Sequence, residues 1–199
     1  MTILIKNGRL INPSENLDKV MDIFVEDGII KEKAESIEKQ ADTVIDAAGC
    51  YVMPGLIDLH VHFRDPGLTY KEDIETGSKA AAKGGFTTVC CMPNTKPVVD
   101  NVETVKYIIE KGEKTGLTNV LPVGAVTKNM AGVEITDVEE LKKAGICAIS
   151  EDGKSVMNSG VYRKAIKNAA KANVPVLARC EDINLVEGGV INLGDKSSE

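Results

Sequence analysis

The two histidines of the chain are the residues whose type and spacing most directly suggest chemistry. His60 and His62 lie two positions apart in an apolar run, and the 199-residue sequence contains only these 2. Alternate side chains of a β-strand project from the same face, so both imidazole rings would point in one direction. Such a pair can form half of a tetrahedral zinc shell. The spacing alone is equally compatible with a structural role.

Polar side chains follow two further apolar runs, at the points where strands would end. Asn94 comes just after the run at 86–92, and Glu151 and Asp152 follow the run at 146–150. In α/β enzymes the carboxyl ends of parallel strands form one rim, which carries the site. We therefore expect these groups to face the histidines. The local sequence is equally compatible with a turn-forming Asn94 and a solvated acidic turn.

Five short apolar runs after residue 53 predict buried β-strands, and helical patterns lie between them. The runs cover residues 56–62, 86–92, 120–125, 146–150 and 174–178. Apolar strands that alternate with helices are typical of a parallel sheet covered by helices. A βα unit takes about 30 residues, and a closed barrel about 250. The predicted fold class is α/β, with about five βα units in an open sheet or an incomplete TIM-like barrel.

Capping residues predict where the helices begin and end. Helices are expected to begin at Thr69, Asn101 and Thr136 and near Gly160. Thr69 and Thr136 each start a capping box, in which a hydroxyl and an acidic side chain satisfy free backbone groups. The first helix is expected to stop at Gly84 and the third before Gly145, because glycine favours helix ends.

The first 52 residues predict a separate strip of β structure. An Asn-Gly pair at 7–8 predicts one hairpin, the turn at 26–28 predicts a second, and 43–45 adds a short strand. A strip of this size has too little core of its own and needs another surface to pack on. We therefore expect two domains, a β-strip at 1–52 and a partial (β/α) barrel at 53–199.

The composition argues against several classes of partner. The chain has 24 basic and 30 acidic side chains and a formal net charge of −6. It therefore gives no electrostatic support for binding nucleic acid or an anionic membrane. No apolar run approaches the roughly 18 residues that span a bilayer, and the start lacks the layout of a secretory peptide. The 5 cysteines, an odd number without a C-x-x-C pair, are typical of reduced thiols in the cytoplasm.

Three segments of the chain are distinctive, namely residues 58–67 (DLHVHFRDPG), 84–88 (GGFTT) and 92–95 (MPNT). Together they resemble dihydroorotases of the longer bacterial class, within the amidohydrolase superfamily of metal-dependent barrels. The resemblance covers the whole chain, including the β-strip, which resembles half of a small β-sandwich. It implies a cyclic amide hydrolase that interconverts N-carbamoyl-L-aspartate and L-dihydroorotate in pyrimidine synthesis. Allantoinases and hydantoinases share the H-x-H motif but usually not Arg64 and MPNT, so they rank second.

The resemblance also implies a role for individual residues. His60 and His62 would bind one zinc, and Asp152 would bridge it to a second. Arg64 and Asn94 would hold the carboxylate of the substrate, and His62 would also belong to the substrate-binding residues. A guanidinium suits a carboxylate because it donates two parallel hydrogen bonds.

The chain departs from the family pattern at the end of the fifth predicted strand. Arg179 occupies the place where the family has a histidine that binds the second metal. An arginine stays protonated and offers no lone pair, so we expect a poor dinuclear centre. In the family the catalytic aspartate and a further metal histidine come from later strands. We therefore predict no catalytic residue within this chain.

These departures leave a second class of function open. The chain could be a catalytically dead dihydroorotase-like partner of aspartate transcarbamoylase, and a fragment without function is a third alternative. Five barrel strands would leave two unpaired edges, which favour association, including homo-oligomers. The trailing residues 188–199 predict no closing strand.

Overall fold

The computed structural model describes residues 1–186 and residue 189. The chain divides into two compact units, Met1–Gly55 and Leu56–Glu199. Within the described residues, no helix has both the length and the apolar character needed to cross a membrane. The expectation that 188–199 adds no strand lies outside the described residues, apart from Gly189.

The first unit contains one five-stranded sheet. Its strands are β1 (Thr2–Asn12), β2 (Leu17–Glu26), β3 (Ile29–Ala34), β4 (Thr43–Asp46) and β5 (Tyr51–Val52). The order is β3-β2-β1-β4, and β5 also pairs with β1. Asp27 and Gly28 adopt positive φ angles of 49° and 76° between β2 and β3. The hairpin predicted at 26–28 is therefore confirmed.

The hairpin predicted at Asn7 and Gly8 is wrong. β1 runs through both residues and stays paired with β2, with a register shift between Ile5 and Gly8. Asn7 has a φ of 63°, and its backbone N–H donates to Asp22 Oδ1 at 2.9 Å. A left-handed asparagine before glycine serves a β-bulge as well as a turn. Here the partner strand continues past the pair, so the chain bulges and does not reverse.

The second unit contains a five-stranded parallel sheet that alternates with helices, and the predicted fold class is confirmed. Its strands are β6 (Leu56–Val61), β7 (Phe86–Cys91), β8 (Asn119–Ala125), β9 (Ala148–Ser150) and β10 (Val176–Leu177). The sheet order is β10-β9-β8-β7-β6, and each neighbouring pair is parallel. Because sequential strands are neighbours, their carboxyl ends follow one another along a single rim.

Helices connect these strands. They are α1 (Ile74–Lys83), α2 (Val102–Thr115), α3 (Val138–Ala144) and α4 (Ser159–Lys171), and the short α5 (Ile183–Val186) follows β10. The cap predicted at Asn101 is confirmed, since its side chain accepts the Thr104 N–H at 2.9 Å. Gly145 ends α3 in a left-handed conformation, as predicted.

The predicted start of the first helix is wrong. α1 begins at Ile74, and its capping box is formed by Asp73 and Thr76 rather than by Thr69. The buried Asp65 carboxylate accepts the Ile74 N–H at 3.3 Å, which ties the first turn of α1 to the preceding loop. This tertiary contact and a better local cap together outweigh the Thr69 signal. For α3, the capping side chain is Asp137 and not Thr136.

The two faces of the parallel sheet bury different groups. The face toward the helices packs Val89, Val120 and Ile149 against apolar residues of α1 to α4. The opposite face carries a smaller apolar cluster of Cys90, Met92, Val123 and Ala148, with Leu121, Cys147 and Leu177 packed on it. The end strand β6 leaves Leu56, Ile57 and Leu59 exposed. As predicted, the described sheet has unpaired edges at β6 and β10.

Thiol reactivity should separate the cysteines into two groups. All 5 are free, with Cys50 and Cys180 exposed and Cys90 and Cys91 buried. Burial raises the pKa of Cys147 to about 12, so almost none of it is thiolate at neutral pH. We expect an aromatic disulfide reagent to label Cys50 and Cys180 rapidly and the other three slowly. A single labelling rate for all five in native protein would contradict this, and urea-unfolded protein is the control.

Candidate metal centre

Both histidines lie at the carboxyl end of β6. His60 is on the strand and His62 directly follows its last residue, Val61. The ring centroids are 5.1 Å apart, with planes inclined by 71°. The side chain of His60 is 52% exposed and that of His62 is 31% exposed. The two rings are neighbours because both side chains project from the same face of the strand. Their exposure leaves them accessible to a ligand.

Asp152 joins this pair from the end of β9. Its side chain is only 4% exposed. Its Oδ1 lies 3.4 Å from His60 Nε2, and its Oδ2 lies 3.4 Å from His62 Nε2. The three side chains present one ligand atom each, and these atoms lie within 4.8 Å of one another. The rim of the sheet thus brings together the three residues predicted as metal ligands.

Asn94, which follows β7, connects two of these side chains. The His62 Nδ1 donates to Asn94 Oδ1 at 3.1 Å, and Asn94 Nδ2 donates to Asp152 Oδ2 at 3.1 Å. With the proton of His62 on Nδ1, the lone pair of its ring is on Nε2, which faces Asp152. Asn94 therefore orients the His62 ring and the Asp152 carboxylate, as residues that hydrogen-bond to metal ligands do in metal sites.

Arg179 approaches the same carboxylate from beyond β10. Its Nη1 donates to Asp152 Oδ1 at 3.3 Å, and its Nη2 donates to Glu181 Oε2 at 2.6 Å. The hydrogen bond to Glu181 and, after it, the contact with Asp152 raise the pKa of Arg179, so the guanidinium remains charged. Sequence reasoning missed Glu181, because a second acid two residues from an arginine has no distinctive pattern.

Glu151 and Asp152 are adjacent but have different environments. Glu151 is buried, and its Oε2 accepts the backbone N–H groups of Val126 and Thr127 at 3.0 Å each. The Thr127 hydroxyl also donates to it. Glu151 therefore fixes the loop that follows β8, whereas Asp152 faces the histidines. The alternative of a solvated acidic turn does not hold, because both side chains are buried.

Asp65 holds the loop that follows the histidines. Its side chain is fully buried, with Oδ1 accepting from the Tyr107 hydroxyl at 2.9 Å and Oδ2 accepting from Lys111 Nζ at 2.5 Å. Both partners lie on α2. Sequence reasoning treated Asp65 only as part of a turn, because the partners are more than 40 residues away and no local pattern indicates them.

Arg64 lies between the histidines and this anchor. Its side chain is half-buried, and its backbone is left-handed, with a φ of 59°. In the part of the chain that the structure describes, its side chain forms no hydrogen bond or ion pair with the clustered groups. Its predicted contact with a substrate stays a prediction.

The clustered donors fit a divalent transition metal. Two imidazole nitrogens and a carboxylate oxygen are typical zinc ligands, with bonds of about 2.0–2.2 Å. In a tetrahedral shell, ligand atoms at that distance from the ion lie roughly 3.3–3.6 Å from one another. His60 Nε2 lies 3.4 Å from Asp152 Oδ1 and His62 Nε2 lies 3.4 Å from Oδ2, so each nitrogen–oxygen pair taken singly has this spacing. His60, His62 and Asp152 are therefore a group that could hold a metal ion.

Comparison with known proteins places this site in a family. The family model for dihydro-orotase-like proteins matches residues 49–197, which is more than half of the chain. The chain belongs to the dihydro-orotase-like family. The three residues that could hold a metal ion thus lie within the dihydro-orotase-like segment, and the resemblance carried by 58–67, 84–88 and 92–95 is confirmed.

Individual relatives support the same assignment. A dihydroorotase of Pelobacter propionicus is 48% identical over 200 residues, which is 100% of this chain and 47% of that protein. A dihydroorotase of Aquifex aeolicus is 50% identical over 198 residues, with the same coverage of 100% and 47%. The chain therefore spans about half the length of these curated relatives.

A solved structure supports the fold assignment. An L-hydantoinase (dihydropyrimidinase) from Arthrobacter aurescens superposes with a TM-score of 0.76 at 25% identity. The match covers 94% of this chain and 42% of that chain. The dihydro-orotase-like chain thus shares its β-strip and curled parallel sheet with amidohydrolases, as the predicted partial barrel requires.

Proposed function

We propose that this chain supplies the metal-binding part of a dihydroorotase, which interconverts N-carbamoyl-L-aspartate and L-dihydroorotate. The single observation that carries the proposal is the convergence of His60, His62 and Asp152 at one rim of a dihydro-orotase-like sheet. The free thiols fit a reducing compartment, and we propose the cytoplasm.

We propose zinc as the metal, held by His60, His62 and Asp152. When bound, the ion would lower the pKa of a water molecule and polarise the amide carbonyl of the substrate. Asn94 keeps His62 in the tautomer that presents Nε2 and holds the Asp152 carboxylate in place. The second zinc of the family is not part of the proposal, because Arg179 adjoins Asp152 where a further ligand would be needed.

Substrate binding would fall to residues at the same rim. Arg64 would donate two hydrogen bonds to the substrate carboxylate, since its guanidinium is free of the clustered groups. Asn94 would contribute only if its amide exchanged a partner, because both of its polar atoms are already engaged. The resemblance assigns proton transfer to an aspartate on a later strand. We therefore propose no catalytic residue within the chain and expect slow turnover.

A second function is favoured by one observation, the guanidinium of Arg179 beside the proposed zinc ligand Asp152. A charge at that place suits a metal-free, catalytically dead relative that serves as a structural partner of aspartate transcarbamoylase. The two proposals differ in whether the purified chain retains a metal.

Metal analysis and an activity assay test both proposals. The 199-residue chain would be loaded with zinc, freed of unbound metal, and assayed for metal content and dihydroorotate hydrolysis in added zinc. We expect retained zinc that falls in His60→Ala, with hydrolysis close to background. Equal zinc in both proteins would overturn the metal centre, and turnover lost in His60→Ala would overturn the dead-partner function. Inactive, zinc-free protein that co-purifies with aspartate transcarbamoylase would overturn the enzyme.

A further inference from the structure

Arg179 places a permanent positive charge on the carboxylate that would bind a metal. Its Nη1 lies 3.3 Å from Asp152 Oδ1, and His60 Nε2 lies 3.4 Å from the same oxygen. A guanidinium cannot be deprotonated in a protein and has no lone pair to give to a metal. The oxygen that faces His60 is therefore shared with a cation that belongs to the chain.

Glu181 gives this cation a second partner that is more exposed than Asp152. Both Nη2 and Nε of Arg179 donate to Glu181 Oε2, at 2.6 Å and 3.2 Å. The side chain of Glu181 is 33% exposed, whereas that of Asp152 is 4% exposed. The guanidinium thus bridges a buried carboxylate and a partly solvated one. It can release Asp152 and still keep two hydrogen bonds to Glu181.

We propose that Arg179 competes with a divalent cation for Asp152, so that metal binding requires the guanidinium to withdraw toward Glu181. This inference rests on the proposed function, in which His60, His62 and Asp152 hold the ion. Without a metal, the buried carboxylate needs a cationic partner, because an unpaired buried charge is costly. With a metal, two cations would share one oxygen and repel each other at short range. Arg179 therefore stabilises the metal-free site and lowers its affinity for metal.

Competition predicts opposite effects for the two ends of the Arg179–Glu181 pair. Arg179→Gln removes the competing charge, so zinc should bind more tightly by about 10-fold or more, a gain of the size of the smaller losses that follow mutation of supporting outer partners. Glu181→Gln removes the outer partner and leaves the guanidinium to Asp152 alone, so zinc should bind more weakly. A purely structural role for Arg179 would weaken binding in both variants.

A zinc titration measures these effects without an activity assay. The metal-free 199-residue chain would compete with a chromophoric chelator for zinc at fixed pH and ionic strength. The matched control is Arg163→Gln, which loses the same charge from an exposed position on α4. We expect the order of affinity to be Arg179→Gln, then the wild type and Arg163→Gln together, then Glu181→Gln.

The zinc titration tests the competition by Arg179 separately from the metal centre itself. Zinc binding that is equal or weaker in Arg179→Gln than in the wild type would overturn the competition and leave the metal centre intact. If neither the wild type nor Arg179→Gln binds zinc, the metal centre itself fails, and the inference fails with it. Circular dichroism checks that each variant folds. If Arg179→Gln does not fold, Glu181→Gln decides, since unchanged or tighter binding there overturns the competition.

Discussion

Replacing Asp152 with asparagine is expected to weaken zinc binding by about 100-fold or more. The change removes the only charge among the three proposed ligands and leaves a similar volume, so the loss should equal or exceed that seen for outer partners of metal sites. The free energy of unfolding should fall less than in Asp65→Asn, because Arg179 is 40% exposed and keeps both hydrogen bonds to Glu181 when Asp152 loses its charge. Zinc competition with a chelator and urea unfolding of the metal-free protein would measure the two quantities.

Glu151→Gln provides the matched control, because it removes a buried acidic charge from the adjacent residue. Its carboxylate accepts two backbone N–H groups on Oε2 and the Thr127 hydroxyl on Oε1. In glutamine one of these two oxygens becomes an NH2 group, which cannot accept the hydrogen bond that the carboxylate oxygen accepted. We expect the free energy of unfolding to fall by about 1–3 kcal/mol, with a smaller effect on zinc affinity than that of Asp152→Asn. The assignment of separate roles would be wrong if both variants lost zinc equally while keeping wild-type stability.

The sequence predicts the ligand group because its rules are short-range or apply to the whole fold. Residues two apart on a strand share a face, and parallel strands end at one rim, so the histidine pair and the acidic pair at 151–152 could be brought together without coordinates. The choice of Asp152 over Glu151 as a ligand came from the family resemblance. The contact of Arg179 with Asp152 also follows from that rim. Its division between Asp152 and Glu181 does not, because it depends on side-chain rotamers.

Two predictions were wrong, the hairpin at Asn7 and Gly8 and the helix start at Thr69, and both have the same physical origin. In each case a local signal competes with the surrounding structure. An Asn-Gly pair permits a left-handed backbone but does not specify whether the chain turns or bulges, and the strand beside Asn7 decides. Thr69 could cap a helix, but Asp73 does so and Asp65 holds the Ile74 N–H. Local propensity is a weak prior where a buried side chain binds the same backbone.

Replacing Asp65 with asparagine is expected to cause the largest loss of stability. The buried carboxylate accepts from Tyr107, Lys111 and the Ile74 N–H, and it connects the loop after the histidines to α1 and α2. Removing one partner of a buried ion pair costs about 3–5 kcal/mol. The side chain of Lys111 is 36% exposed, so solvent screens part of the interaction between the two charges. We therefore expect Asp65→Asn to lower the free energy of unfolding by about 2–3 kcal/mol. Urea unfolding of the metal-free protein would measure it.

The pH dependence of this loss identifies the ion pair as its cause. The hydrogen bond to Asp65 raises the pKa of Lys111 above its ordinary value of 10.5, despite opposing desolvation. A raised pKa stabilises the folded protein fully below the ordinary pKa, and the stabilisation is lost as pH rises through the raised value. The difference between wild type and Asp65→Asn should therefore be constant near neutral pH and shrink above about pH 10.5.

An exposed ion pair on the adjoining helix tests whether burial is responsible. Glu75 and Lys79 lie on α1 with Nζ and Oε1 2.6 Å apart, but their side chains are 62% and 60% exposed. Exposed pairs contribute little, because water screens both charges and two long side chains must be ordered. Glu75→Gln should therefore change the free energy of unfolding far less than Asp65→Asn. Equal losses in the free energy of unfolding of the two variants would show that burial does not increase the contribution of the Asp65 ion pair.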